Sequence, residues 1–341
     1  MCAHFVCLGD AMRYLAIIAA ACSLVACGGG GGGSWEPAAG PALPGALPLD
    51  QLVFDSDQSG NFEIYAMRSD GGGVVRLTND SAHDSWWPRL APDRRRIVFV
   101  RTPRGTHDLD YSQASIWSMD ADGRNLTQLR AAGADGWALQ GHPEWSPDGR
   151  HLVLFGGSGA NPQIYITTDT GAVTQRVTDG TGFWLDPSWS PDGRQLVFAG
   201  CEASGCGLVP AGYEIHVTPA DGTGSPTRLT ADSLRDHDPY FSPDGTRIAW
   251  LTETQQPSAA YPAGVWNIRM AAADGSNQVP VTSDLEINSK PDWSSDGSLI
   301  YFHRLEYDGN PAGFNVYRIR PDGSGLTLLA NSMSNSEYPD N

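Results

Sequence analysis

Leu52-Val-Phe-Asp55-Ser-Asp-Gln-Ser-Gly60-Asn-Phe-Glu-Ile-Tyr65-Ala-Met-Arg-Ser-Asp70-Gly71, continued by Leu77-Thr78, Pro88 and Pro92-Asp93, is one copy of a pattern that fills most of this 341-residue chain. The glycine that closes it returns at 71, 123, 171, 222, 275 and 323. That spacing averages about 50 residues, longer than helical solenoid repeats and close to the length of a propeller blade. Ile97-Val-Phe-Val, Leu196-Val-Phe and Ile300-Tyr-Phe are short, β-branched and aromatic, and Pro, Gly and Asp fence them. Such runs are strands rather than helices.

Each copy divides into four strands. The turn between the first two is written Ser146-Pro147-Asp148-Gly149 and recurs at 190–193 and 242–245, with Ser295 replacing the proline in 294–297. Proline presets φ, Asp bonds nearby backbone, and glycine takes the left-handed conformation that ends the turn. Ala91-Pro92-Asp93-Arg94 lacks the glycine, so it predicts either a different turn or strain at Arg94. The prolines at 88, 143, 187, 239, 291 and 339 are expected to begin the first strand of each unit, on an edge where a missing N–H does no harm. The repeats begin at Gln51 with a second strand and end near Pro339 with a first, so the two ends are expected to share one sheet. The reading is an all-β chain, a six-bladed β-propeller of four-stranded antiparallel blades closed by pairing of its terminal strands.

This pattern resembles the TolB-like β-propeller family, whose repeats carry the same Pro-Asp turn, over about residues 50–341. The resemblance implies the propeller fold, and the usual family text before the inner proline is Asp-x-Asp-Pro, which Asp236-His237-Asp238-Pro239 reproduces.

Residues 1–27 read as an export signal, with Met12 as an alternative start: Met12-Arg13 precedes an apolar run to Ala26, and Leu24-Val25-Ala26-Cys27 matches a bacterial lipoprotein box. Cys27 is the expected lipidation site and the membrane contact. Residues 28–49 begin with six glycines and continue Pro/Ala-rich, a flexible linker of roughly 25 Å root-mean-square reach. The propeller is assigned to 50–341. The predicted address is the cell envelope, at the outer membrane facing the periplasm. There Cys201 and Cys206 are expected to form a disulfide.

The formal charge of −17 argues against nucleic acid and anionic membrane surfaces as partners. Arg89, Arg94, Arg95, Arg96, Arg101 and Arg104 form a local basic cluster, expected to be solvated surface. The expanded connections 101–113, 131–141, 200–212, 252–264 and 304–313 fall on one face, where recognition is usually built. Near the channel mouth of that face the candidate partner-binding residues are Asp84, His142, Asp186, Asp236, His237, Asp238 and Glu337, with Trp86, Trp137 and Trp184 beside them. Inner-strand Asp residues also commonly bond backbone at a channel mouth, and Trp86 and Trp184 suit packing between blades equally well.

No Gly-x-Ser-x-Gly, phosphate loop or His-Glu-x-x-His occurs, so no catalytic or metal residue is assigned. No cofactor is expected, with a divalent cation at the channel mouth left open. The expected role is non-enzymatic: a monomeric scaffold binding an envelope protein or peptide. The alternative is a glycan-binding protein or a metal-dependent polysaccharide lyase, since oligogalacturonate lyases also resemble this repeat and use a His-rich metal cluster.

Overall fold

The computed structural model describes residues 46–202, 212–307 and 313–329, and the backbone of 330 and 336–340. Apart from two single-turn 3-10 segments, the described secondary structure is all strand. Four sheets have four antiparallel strands each; a fifth has eight, made of two such quartets joined by one parallel pair, Trp266 with Ile287. The opening strands of the second to sixth quartets are His83–Leu90, Leu139–Trp145, Phe183–Trp189, Asp236–Phe241 and Ile287–Trp293. The first quartet is opened from the far end of the chain. Ser336–Asp340 pairs antiparallel with Gln51–Ser56, matching Val53 with Asp340 and Asp55 with Glu337.

Each opening strand packs against the next, and Ile287–Trp293 packs against Ser336–Asp340. Apolar clusters fill the seams. Leu52, Phe54, Tyr65 and Met67 of the first quartet pack with Tyr301 and Val316 of the sixth. Val197, Ala199 and Ile215 of the fourth meet Phe241, Ile248 and Trp250 of the fifth. The periodic glycine follows from this packing. A Cβ on Gly123 would lie 2.7 Å from the Leu77 carbonyl oxygen of the preceding quartet, and one on Gly71 would overlap that of Leu329. Both glycines also have positive φ, 84° and 86°.

The Ser-Pro-Asp-Gly turn closes as its residue types require. Gly149 N–H donates to Ser146 O at 2.8 Å, and Asp148 Oδ1 accepts from Ser146 Oγ and Arg150 N at 2.6 and 3.0 Å. Arg94 keeps this turn at φ 58°, donating its N–H to Ala91 O. Its guanidinium offsets the strain by bonding the carbonyls of Leu47, Pro48 and Gln51 at 3.1, 2.8 and 2.6 Å, which seats the incoming chain.

The inner prolines do not begin their strands. Pro88, Pro143, Pro187, Pro239 and Pro291 lie inside them, each at a register break: Trp86 pairs with Val100 and Arg89 with Val98, so Trp87-Pro88 together face Phe99. A bulge leaves the extra residues outside the ladder, so the missing proline N–H costs no hydrogen bond. The residue before each proline is left-handed: Trp87 at φ 54°, His142 at 50°, Asp186 at 53°, Asp238 at 49° and Lys290 at 54°. None is glycine, so each position stores roughly 1–2 kcal/mol of strain.

Candidate functional site

Those five strained residues meet in the central space between the opening strands. Trp87 stacks flat on His142, centroids 3.5 Å apart at 4°, and Lys290 Nζ sits 4.6 Å from the Trp87 ring. Asp186 is held from both sides: His142 Nδ1 lies 2.5 Å from its Oδ1, and His237 Nδ1 lies 3.0 Å from its Oδ2.

The loop 103–113 folds down into this space rather than standing above it. It delivers His107, Asp108 and Tyr111, all nearly fully buried. Tyr111 Oη donates to Asp108 and lies 2.7 Å from His142 Nε2. Lys290 Nζ is 3.5 Å from Asp108 and 4.0 Å from Asp238. His107 stacks on Phe62 at 3.6 Å and approaches Asp55, which also accepts from Trp87 N–H at 3.2 Å. The result is a chain of polar groups, Asp108–Tyr111–His142–Asp186–His237, drawn from the second to fifth quartets.

Burial alone would raise the Asp186 carboxyl, yet the bonds and charges of His142 and then His237 hold it well below the usual range. Burial likewise opposes ionisation of Asp108, and Lys290, followed by His142, wins against it. For Asp238 burial prevails and raises the carboxyl. Burial lowers His107 to about 3, so that ring is neutral, and pushes Tyr111 well above its ordinary value.

Toward the opposite, tight-turn face, which carries the Ser-Pro-Asp-Gly turns, lies a second layer. Arg89, 4% exposed, reaches Glu144 at 2.7 Å and Asp292 at 3.0 Å and lies over Tyr240 at 4.4 Å. Arg101 is buried too, against Asp80 and Ser85. Both correct the reading of the arginine cluster as solvated surface. One cation at a crowded centre neutralises carboxylates from two other strands, which no linear spacing reveals.

The candidate residues thus separate. His142, Asp186, His237 and Asp238 converge at the centre. Asp84 stands apart, accepting from Phe62 N–H at 3.2 Å and Gly105 N–H at 2.6 Å, and it ties two loops together. Asp236 also faces away, accepting from Thr252 Oγ1 at 2.7 Å, and burial raises its carboxyl to about 6. Trp86 and Trp184 are core rather than rim: their indoles donate to Thr102 Oγ1 and Thr181 O. Trp137 is on the rim, half-buried, under Arg130 at 4.3 Å and against Tyr165. Glu337 is described by its backbone alone, and Cys27 and Cys206 lie outside the described residues. Cys201 is disulfide-bonded.

The convergent polar side chains at the channel mouth bond one another. One oxygen or nitrogen each of His142, Asp186 and Asp238 lie within 4.8 Å of one another, a donor set a divalent cation accepts. Two of the three already bond within the cluster. Reading inner-strand positions alone missed His107 and Asp108, because the loop 103–113, beyond the second strand of that quartet, supplies them.

No family model matches the chain. A TolB homolog of Chlorobium luteolum is 29% identical over 134 residues, covering 39% of this chain and 28% of that protein. An uncharacterized protein of Agrobacterium fabrum is 35% identical over 102 residues, 29% of this chain and 33% of that protein. The chain thus aligns with about a third or less of the length of these curated relatives. The solved TolB of Acinetobacter baumannii superposes with a TM-score of 0.63 at 19% identity, over 85% of this chain and 66% of that one.

Proposed function

We propose that this TolB-like β-propeller is a non-enzymatic scaffold of the cell envelope that offers its long-loop face to a protein or peptide partner. The ring has six blades in this reading. The pairing of Ser336–Asp340 with Gln51–Ser56 and the apolar cluster shared by the first and sixth quartets support it. Lipid on Cys27 and the linker 28–49 would tether the ring without fixing its orientation.

The observation that carries the proposal is a set of aromatic pairs around the long-loop face, half-buried except for the buried Tyr213. Trp137 rests against Tyr165 at 4.3 Å, Phe183 stacks on Tyr213 at 5.6 Å, and Tyr261 meets Tyr307 edge-on at 5.2 Å. Rigid, partly exposed aromatics supply interface area at low entropic cost. At the centre, by contrast, the polar side chains bond one another, which disfavours chemistry there.

Envelope extracts passed over immobilised wild type and a Trp137→Ala/Phe183→Ala/Tyr261→Ala variant test this reading. A specific protein retained by the wild type and lost from a variant of unchanged melting temperature is the expected result. Equal recovery of every partner rejects the face. The alternative, a glycan-active protein using a cation at His142, Asp186 and Asp238, predicts uronate release that chelation abolishes.

A further inference from the structure

On the tight-turn face, two seams are closed by the same device. The residue opening the second strand of one quartet is an arginine lying over the indole that ends the next quartet's opening strand. Arg96 covers Trp145 with 4.5 Å to the centroid, and Arg247 covers Trp293 with 4.7 Å. Arg96 is also bonded to Asp169 Oδ2 and to Gly149 O, both at 2.9 Å. Each indole is pinned to the opening strand before it: Trp145 Nε1 donates to Arg89 O at 3.1 Å and Trp293 Nε1 to Tyr240 O at 3.2 Å.

Between the third and fourth quartets the same register places His151 and Trp189. The imidazole does not cover the indole. It turns toward Asp148, Nδ1 to Oδ1 3.9 Å, with its side chain 42% exposed. Trp189 Nε1 is buried and finds no hydrogen-bond partner among the described residues. A cavity of about 570 Å³ opens at this seam, walled by Trp189, Gln175, Asp148, Asp192, Asp221 and Gly193. Gly193 is the register equivalent of Gly149, the carbonyl that receives Arg96 in the sister seam. The seam thus keeps the indole and the glycine carbonyl of an arginine site, carries Ala220 at the place of Asp169, and lacks the arginine.

We propose that this cavity binds a guanidinium group carried by another molecule, either a free guanidino compound or an arginine side chain of a peptide. A planar cation stacks on an indole face and donates in its own plane. The Trp189 face and the carboxylates of Asp192 and Asp221 supply both contacts. Because the carboxylates are exposed, binding is weak and weakens further with salt.

The test follows the Trp189 indole resonance, identified by its loss in Trp189→Phe, during titration of ¹⁵N-labelled protein. The probes are N-acetyl-arginine amide, the peptide Gly-Arg-Gly and the uncharged N-acetyl-citrulline amide. Both arginine probes should shift the resonance in the millimolar range, with citrulline at least about tenfold weaker. A peptide advantage of about tenfold or more over the amide assigns a polypeptide source, and equal affinities assign a free guanidino ligand. His151→Arg should restore the sister arrangement, raising the melting temperature and abolishing the shift. Asp192→Asn/Asp221→Asn should weaken binding about tenfold without touching the indole. No shift with either arginine probe at about 50 mM, or undiminished binding by His151→Arg, overturns the proposal.

Discussion

Nδ1 of His142 lies 2.5 Å from Oδ1 of Asp186, and the two residues hold equivalent places on neighbouring opening strands. Each precedes a proline and each has φ near +50°. A left-handed backbone before proline is poorly tolerated, so the cross-strand bond helps hold two strained positions together.

Replacing Asp186 by Asn removes the anion from between two imidazoles. Loss of one partner of a buried charge pair typically costs ~3–5 kcal/mol, and that is the expected loss in urea denaturation at neutral pH. The folded-state carboxyl is depressed. Its contribution is therefore present above the unfolded value of about 3.9 and fades as pH falls below it. The gap between wild type and variant should narrow once the pH drops below about 4. Identical urea midpoints at neutral pH would show that the carboxylate contributes nothing.

Two glycines with similar φ separate conformation from crowding. A Cβ on Gly123, at φ 84°, would lie 2.7 Å from the Leu77 carbonyl oxygen, whereas one on Gly105, at 82°, would meet nothing within 4 Å. Gly105→Ala should cost about 1 kcal/mol, the left-handed penalty alone. Gly123→Ala adds displacement of a neighbouring quartet's backbone and should cost about 2–4 kcal/mol. Thermal melts of the two variants decide it. Equal losses would mean that the seam yields freely and that the periodic glycine answers only to its own turn.

The repeat was legible because its signals are local. Ser146 to Gly149 encode a turn within four residues, and the glycines at 71 to 323 mark a period that can be counted directly. The bulge at Trp87-Pro88 was not legible, since a proline reads the same at a strand start as at a register break. The central cluster was half legible. His142, Asp186 and Asp238 stand before their prolines, but Lys290 draws its carboxylate from Asp108, which an insertion carries in from another quartet. Arg89 likewise reads as surface until Asp292, 203 positions away, is placed beside it. Trp86 and Trp184 show why a rim cannot be inferred from neighbours in sequence: along a strand, alternate residues face opposite sides.

Asp236 gives the opposite pH signature from Asp186. It is fully buried, its Oδ1 accepts from Thr252 Oγ1, and burial raises the carboxyl to about 6. The folded state therefore holds a proton that the unfolded chain, with its carboxyl near 3.9, has already released. Stability should fall as pH rises from about 4 to about 6 and stay lower above that, by an amount on the order of 2–3 kcal/mol. Asn keeps the oxygen that receives the Thr252 hydroxyl and carries no charge. Asp236→Asn should consequently match the wild type near pH 4.5 and exceed it near pH 7.5, values on either side of the raised carboxyl. Chemical denaturation of both proteins at the two pH values reads this directly. A variant less stable than the wild type at the higher pH would mean that the ionised carboxylate is held by bonds stronger than its desolvation.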